Sequence, residues 1–365
     1  AHSLGMWPFS HAAKVLQLRQ HGSTSLTERP QAVSEGAGDP SWGPATPSGI
    51  DKMHRGDLFY LGLGLLVWLL SWPSSEEASV LPSFVGLPSS WIGRVCLRNL
   101  LINVGIYEFW HQLLFGSLST EAVRQRRFNA ADPYAEGRNL RRERFLTICG
   151  FLWSSMYECL VVHLWASGRI PSCGRGDLAP SALLQGGCLM EGPGSMAQLL
   201  ERPLWLAWFL VALPLMTQWR GIHFFFVHRA MHPWWDRKAG LAQGDLGAFL
   251  YRHVHSLHHK SYNPGPWSSL SMHPVEHLFY FSCFLVALLL PLHPLHLLLN
   301  KYHTDISALA GHDGHGPPGA NDVGHYLHHA HFECNYGFSF PNYLDRAFGT
   351  YEDGAKYAKG HTKAS

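Results

Sequence analysis

Three short histidine clusters hold the residues of this chain most suited to chemistry. HRAMH places His228 and His232, HSLHH places His255, His258 and His259, and HYLHH places His325, His328 and His329. On a helix, positions i, i+3 and i+4 share one face, so each cluster is expected to present a fan of imidazoles. Neutral imidazole is the commonest protein ligand for zinc, iron and copper. Protonated imidazoles packed this closely would repel one another and gain little by packing. Eight rings are too many for one ion and suit two. No cysteine lies within the clusters, which argues against iron–sulfur and structural zinc sites.

Other histidines fall between the clusters. His273 and His277 frame MHPVEH, with Glu276 beside them, and His312 and His315 frame GHDGH. There Asp313 is a candidate acceptor for an imidazole N–H. His223, His253 and His331 neighbour the clusters but should point elsewhere. Structural roles are expected for His293, His296, His303, His111 and His163. Glu108 and Glu158 lie in apolar surroundings and are expected to pair with histidines or line a cavity.

The elements that must position these residues read as apolar helices. Charged residues make up 15% of the 365, against about 25% in soluble domains. The formal charge of +2 gives no reason to expect nucleic acid as a partner. Mean hydropathy is −0.05 because a polar leader dilutes apolar spans. Five spans stand out: Leu58–Trp72, Val95–Leu118, Leu146–Ala166, Leu204–Met216 continuing as helix through His232, and Leu278–Leu299, with Pro291 and Pro294 in its second half. The last is expected as one kinked helix or a re-entrant hairpin. A bilayer core takes about 20 apolar residues per helix. The expected fold is therefore all-α, a multi-span helical membrane protein with a cytosolic histidine-rich cap holding a dimetal site. Its divisions are a disordered polar leader over 1–55, transmembrane helices and a basic loop over 56–200, a catalytic domain over 201–354 and a flexible tail over 355–365. Arg124, Arg126, Arg127, Arg138, Arg141, Arg142 and Arg144 cluster between the second and third spans, and such an excess marks the cytosolic side. Crossing twice brings His228 back to that side. Cys173 and Cys188 fall in the far-side loop, where a disulfide is chemically permitted.

The order of HRAMH, HSLHH, HPVE at 273–276, HDG at 312–314, HYLHH and NYG at 335–337 resembles the fatty acid hydroxylase and sterol desaturase superfamily. The terminal LDRAFGTYEDG is similar to that family's closing motif. The resemblance runs from about Gly221 to Gly354, and the HPVE, HDG and NYG pieces place it nearest the sterol C-5 desaturase-like branch. It implies two iron ions held by His228, His232, His255, His258, His259, His312, His325, His328 and His329, with His273 as a tenth ligand; His277 and His315 are weaker candidates.

The resemblance further implies an O2-dependent oxidoreductase of the endoplasmic reticulum that desaturates or hydroxylates a lipid, first of all a sterol. A fatty acyl or sphingoid base hydroxylase is the alternative within that scaffold. A histidine-rich metal transporter or sensor is the alternative outside it; transporter ligands, however, usually sit near the bilayer midplane. No HPGG haem-binding segment occurs in the sequence, so electrons are expected from a separate cytochrome b5 or similar donor and its reductase. Zinc binds nitrogen sites at least as well as ferrous iron, so a heterologous sample can carry zinc without redox activity.

Overall fold

A computed structural model describes residues 49–125, 127, 136–170, 203–235, 238, 240–315, 323–337 and 342–353. Most of the polar leader, Arg126, the loop with Cys173 and Cys188, and the tail lie outside the described residues. Among those described the secondary structure is helical, with a single isolated β-bridge between Arg127 and His315. The α-helices are α1 (Gly49–Ser71), α2 (Ser75–Ser79), α3 (Trp91–Leu114), α4 (Glu121–Arg124), α5 (Gly137–Ala166) and α6 (Pro203–Ala230). After them come α7 (Leu246–His253), α8 (Pro274–Phe281), α9 (Pro294–Gly311), α10 (Val323–His331) and α11 (Tyr343–Ala347).

Two helices are long and apolar enough to cross a membrane, Gly137–Ala166 and Leu206–Ala230, while Gly56–Ser71 and Pro274–Leu288 are shorter apolar stretches. The fourth expected span is thus one continuous helix, α6, ending two residues before His232. The fifth is not one helix. Its first part is α8 followed by a 3-10 stretch, Ser282–Leu288, and its second part is the start of α9. The prolines explain the break: Pro291 and Pro294 lack a backbone N–H, and Pro294 is tolerated only because it occupies the first turn of a new helix.

Helices α8 and α9 start in the same way. Pro274 and Pro294 follow His273 and His293, whose side chains accept from Val275 N at 3.2 Å and Leu295 N at 3.0 Å. Each histidine satisfies one of the backbone donors a helix start leaves open.

Helix α9 is central and packs against α1, α3, α5 and α6. It is buried along most of its length, and several of its polar residues pair within the helix or with neighbouring helices. Lys301 Nζ donates to Asp305 at 2.8 Å and Ser154 at 2.6 Å, and Asn103 Nδ2 donates to the same carboxylate at 2.9 Å. Glu158 on α5 pairs with Arg98 and accepts from Asn99 at 2.8 Å. Two cations and two anions thus offset one another between α3, α5 and α9. Burying them unpaired would cost several kcal/mol each, by the rough scale for buried ions. The apolar packing around them includes Trp165, Phe151, Phe281 and Phe284, all 1% exposed or less. Each such side chain contributes about 1.5–3 kcal/mol.

The two expected carboxylates therefore do something other than pair with histidines. Glu158 belongs to this charge cluster. Glu108 accepts from Arg144 at 2.8 Å, Gln112 at 2.7 Å and Trp267 at 3.2 Å. Arginine was available to both, and it is the stronger carboxylate partner because its fork matches the carboxylate and it never loses its charge.

The long helix α5 sets the distance between the two ends of the molecule. Near its start, Glu143 accepts from Ser261 at 2.5 Å and Thr147 donates to Trp267 O at 2.8 Å. Near its end, His163 Nδ1 meets Ala78 O at 2.9 Å. Twenty helical residues separate Glu143 from His163, roughly 30 Å, which is the thickness of a bilayer core.

Candidate metal centre

Nine histidines converge at the Glu143 end. His228, His232, His255, His259 and His328 form one group, and His258, His312, His325 and His329 a second; within each, the candidate ligand nitrogens lie within 4.8 Å of one another. All nine are 6% exposed or less. They come from the end of α6, the segment before α7, the 3-10 turn His255–Lys260, the residue after α9, and α10.

The triplets do not each serve one ion. HSLHH sends His255 and His259 to the first group and His258 to the second, while HYLHH sends His325 and His329 to the second and His328 to the first. The local geometry differs as well: HYLHH lies on an α-helix, as expected, but HSLHH is a 3-10 helix. Both triplets nevertheless divide alike, the first and last histidines going to one group and the middle one to the other, so the division does not follow the type of helix.

Hydrogen bonds fix the protonation of four rings. The Nδ1 atoms of His228, His328 and His312 each lie 2.7 Å from a backbone carbonyl, those of Tyr336, Cys334 and Ala308. A carbonyl oxygen only accepts, so each Nδ1 carries the proton and each Nε2 keeps its lone pair. His255 Nδ1 likewise lies 2.7 Å from Glu276 Oε1. Yet the Nε2 atoms of His228 and His255 lie 3.0 Å apart. Two lone pairs that close repel unless a cation stands between them. The same separation recurs from His259 to His255 at 3.0 Å, His328 to His259 at 3.1 Å, His325 to His312 at 3.0 Å and His329 to His312 at 3.1 Å. Metal–nitrogen bonds of about 2.0–2.1 Å put adjacent ligands at right angles about 3.0 Å apart. Both nitrogens of the buried His232 lack a protein partner, as a ring reserved for a metal would. The donor set fits two ions bound by imidazole alone.

Burial holds these rings in the neutral form that ligation requires. It pushes His255 down to about 3 and His312 to about 4. His258, His259, His325, His328 and His329 are lowered well below the usual imidazole range, by burial first and by neighbouring imidazoles second.

His273, expected as a tenth ligand, stands outside both groups and caps α8. His277 and His315 also stand apart. His277 Nε2 bonds Leu270 O at 3.0 Å, and His315 Nδ1 bonds Asp313 O at 2.7 Å. The Asp313 carboxylate caps His315 N at 3.0 Å and does not hold His312. The carboxylate that holds a ligand is Glu276, whose other oxygen is buried without a partner. The carbonyls of Ala308, Cys334 and Tyr336 carry no side-chain signature and were not legible as ligand supports. Their nearest sequence signals are NYG and LDRAFG. Asn335 adopts φ 52°, a left-handed conformation that asparagine tolerates, and it bonds Glu352 O at 2.8 Å and Gly324 O at 3.1 Å. Asp345 accepts from Tyr336 N and Gly337 N, both at 2.8 Å, so the closing motif fixes the loop that orients His228.

The family model for fatty acid hydroxylase matches residues 213–350, a range that contains all nine histidines. Residues 213–350 are a fatty acid hydroxylase domain. The chain is 28% identical over 155 residues to sphinganine C4-monooxygenase 2 of Arabidopsis thaliana, covering 39% of the chain and 53% of that relative. It is 25% identical over 166 residues to a Delta(7)-sterol 5(6)-desaturase of Leptosphaeria maculans, covering 44% and 39%. Against the Delta(7)-sterol 5(6)-desaturase of Saccharomyces cerevisiae it is 32% identical over 132 residues, covering 35% and 32%. The chain thus spans about half or less of the length of these relatives. No solved structure matches it. Beside the histidines of the fatty acid hydroxylase domain lies a small cavity with mainly apolar walls, among them Phe224, Val227, Met231 and Met272.

Proposed function

We propose that this protein is a membrane-bound oxidase of lipids that uses two iron ions, O2 and external electrons to desaturate or hydroxylate its substrate. The observation that carries this reading is the convergence of nine buried imidazoles in two groups, with lone pairs of fixed tautomers directed at one another. When bound, two irons supply the oxidising power that removal of hydrogen from an unactivated C–H bond requires. The chain supplies the rest. Glu276 and the carbonyls of Ala308, Cys334 and Tyr336 hold the ligand rings in one tautomer. The apolar cavity walls exclude water from the reacting carbon and hold a lipid beside His228, His258 and His325.

A sterol is the substrate we put first, in line with the order HPVE, HDG, NYG and the sterol desaturases among the relatives. A sphingoid base or fatty acyl chain is the second reading, favoured by the similarity to sphinganine C4-monooxygenases. Both groups of histidines are enclosed, which suits a resident metal better than one in transit. The setting proposed is the endoplasmic reticulum, with α5 and α6 crossing the bilayer and the histidine end facing the cytosol. Electrons would come from cytochrome b5 or a similar donor and its reductase. Lipid and sterol profiling of cells lacking the protein tests this. Accumulation of an unoxidised sterol selects the first substrate, and loss of hydroxylated sphingoid or acyl chains the second. An unchanged profile of both in cells that express the protein normally would overturn the oxidase reading.

A further inference from the structure

The cavity beside the histidines carries further polar residues in its lining. Arg220 lines it from α6, together with Tyr280 from α8 and Ser307 from α9. Arg220 is 1% exposed, although it lies in the middle of a helix apolar enough to cross a membrane. A guanidinium there is costly and marks a functional position more often than a packing one. Its central carbon sits 4.3 Å from the ring of Tyr280 and 5.0 Å from that of Phe224. Phe224 is in turn stacked 5.0 Å from the ring of His228. The charge is therefore one aromatic ring removed from the histidine centre. In the same lining, the buried hydroxyl of Ser307 has no hydrogen-bond partner. The cavity surface as a whole is largely apolar. A purely hydrocarbon ligand would leave the Ser307 hydroxyl unsatisfied and gain nothing from the guanidinium.

We propose that Arg220 and Ser307 clamp one oxygen-bearing group of the lipid, a hydroxyl or a carboxylate, and so choose which carbon meets the histidine centre. Both oxygens accept from a guanidinium, and Ser307 can donate to either. Because one ring separates Arg220 from His228, the carbon presented lies a few bonds from that oxygen and not at the far end of a chain. This inference rests on the lipid-oxidase reading for its substrate class, but it can be measured as binding alone.

The test uses the full chain in phosphatidylcholine nanodiscs and competition against a radiolabelled lipid. The probes are a 3-hydroxysterol, sphinganine and palmitate, each paired with its deoxygenated counterpart. The wild type should bind at least one oxygenated probe about 10-fold or more tighter than its counterpart. Arg220→Met should abolish that discrimination, Arg220→Lys should keep part of it, and Ser307→Ala should weaken it. The winning probe identifies hydroxyl or carboxylate as the group clamped. Equal binding of every pair by the wild type overturns the proposal. So does full discrimination in Arg220→Met. Should Arg220→Met fail to fold, unchanged discrimination in both Arg220→Lys and Ser307→Ala overturns it as well. If discrimination depends on Arg220 but no lipid is oxidised, the clamp stands and the oxidase reading falls.

Discussion

At the scale of single residues, the histidines divide by what their second nitrogen does. His228, His255, His312 and His328 each spend Nδ1 on an oxygen and turn Nε2 inward, whereas His273 spends its Nδ1 on capping a helix. Substituting His259 or His329 with alanine should abolish lipid oxidation and cut bound metal from two ions per chain toward one. His273→Ala and His303→Ala should keep both ions and appreciable turnover. Metal analysis of the four variants checks this, and equal metal loss in all four would show that the two groups are wrongly drawn. Protonation gives a second prediction. Free imidazole titrates near 6.5, but His255 and His312 are pushed down to about 3 and 4 by burial. Between those values and 6.5 the unfolded chain takes up protons that the folded chain refuses. Stability is therefore complete above pH 6.5 and falls as the pH drops through that window. The thermal midpoint of metal-stripped protein should fall by about 5 °C or more from pH 7.5 to pH 5. A midpoint that does not move would show that these rings are not buried neutral.

At the scale of elements, the centre depends on a few close approaches. Helix α7 touches the turn that carries His232 so closely that a Cβ on Gly247 would lie 2.1 Å from His232 O and 2.4 Å from the Trp234 ring. Only glycine fits there. Asp245 ties the same turn by accepting from Trp234 N, Trp235 N and Ala248 N at 2.8–3.2 Å. Gly247→Ala should displace His232, lower metal affinity about 10- to 100-fold, the range seen when ligand supports are lost, and leave helix content unchanged. Circular dichroism with a metal titration measures both. An affinity equal to wild type would mean that the turn moves aside freely and that α7 does not position His232.

At the scale of the whole molecule, the basic segment and the histidine end come together. Arg138 and Arg141 are exposed at the start of α5, and the neighbouring Glu143 reaches Ser261, two residues from His259. Arg144 is engaged with Glu108 at 2.8 Å and lies over Trp267, so it serves packing more than docking. An acidic electron donor would meet Arg138, Arg141 and Lys260 first, and complementary charge chiefly accelerates encounter. Reversing Arg138 and Arg141 to glutamate should slow turnover several-fold at low salt, with unchanged metal content. The loss should shrink toward wild type as salt screens the field over about 10 Å at 0.1 M. Salt-independent turnover would remove the docking role. Labelling that reaches Arg141 and Lys260 from opposite sides of the membrane would refute the shared face as well.

The sequence alone picked out the nine histidines that the structure brings into two groups, the helical class and the continuity of α6 into His228. These follow from local rules: side-chain chemistry, covalent spacing and apolar periodicity act over a few residues. Tertiary structure decided how the triplets divide. Spacing alone does not say which centre a ring faces; the packing of the 3-10 turn against α10 places the middle ring of each triplet with the outer pair of the other. It also decided that His273 caps a helix, because a His-Pro start and a metal ligand read alike until the position of the ring is known. The carbonyls that orient the ligands are identical at every residue along the chain, so only folding singles out Ala308, Cys334 and Tyr336. The same holds for Arg220. In sequence it is one basic residue before an aromatic run, and only the packing of α6, α8 and α9 brings its charge to a cavity shared with the histidines.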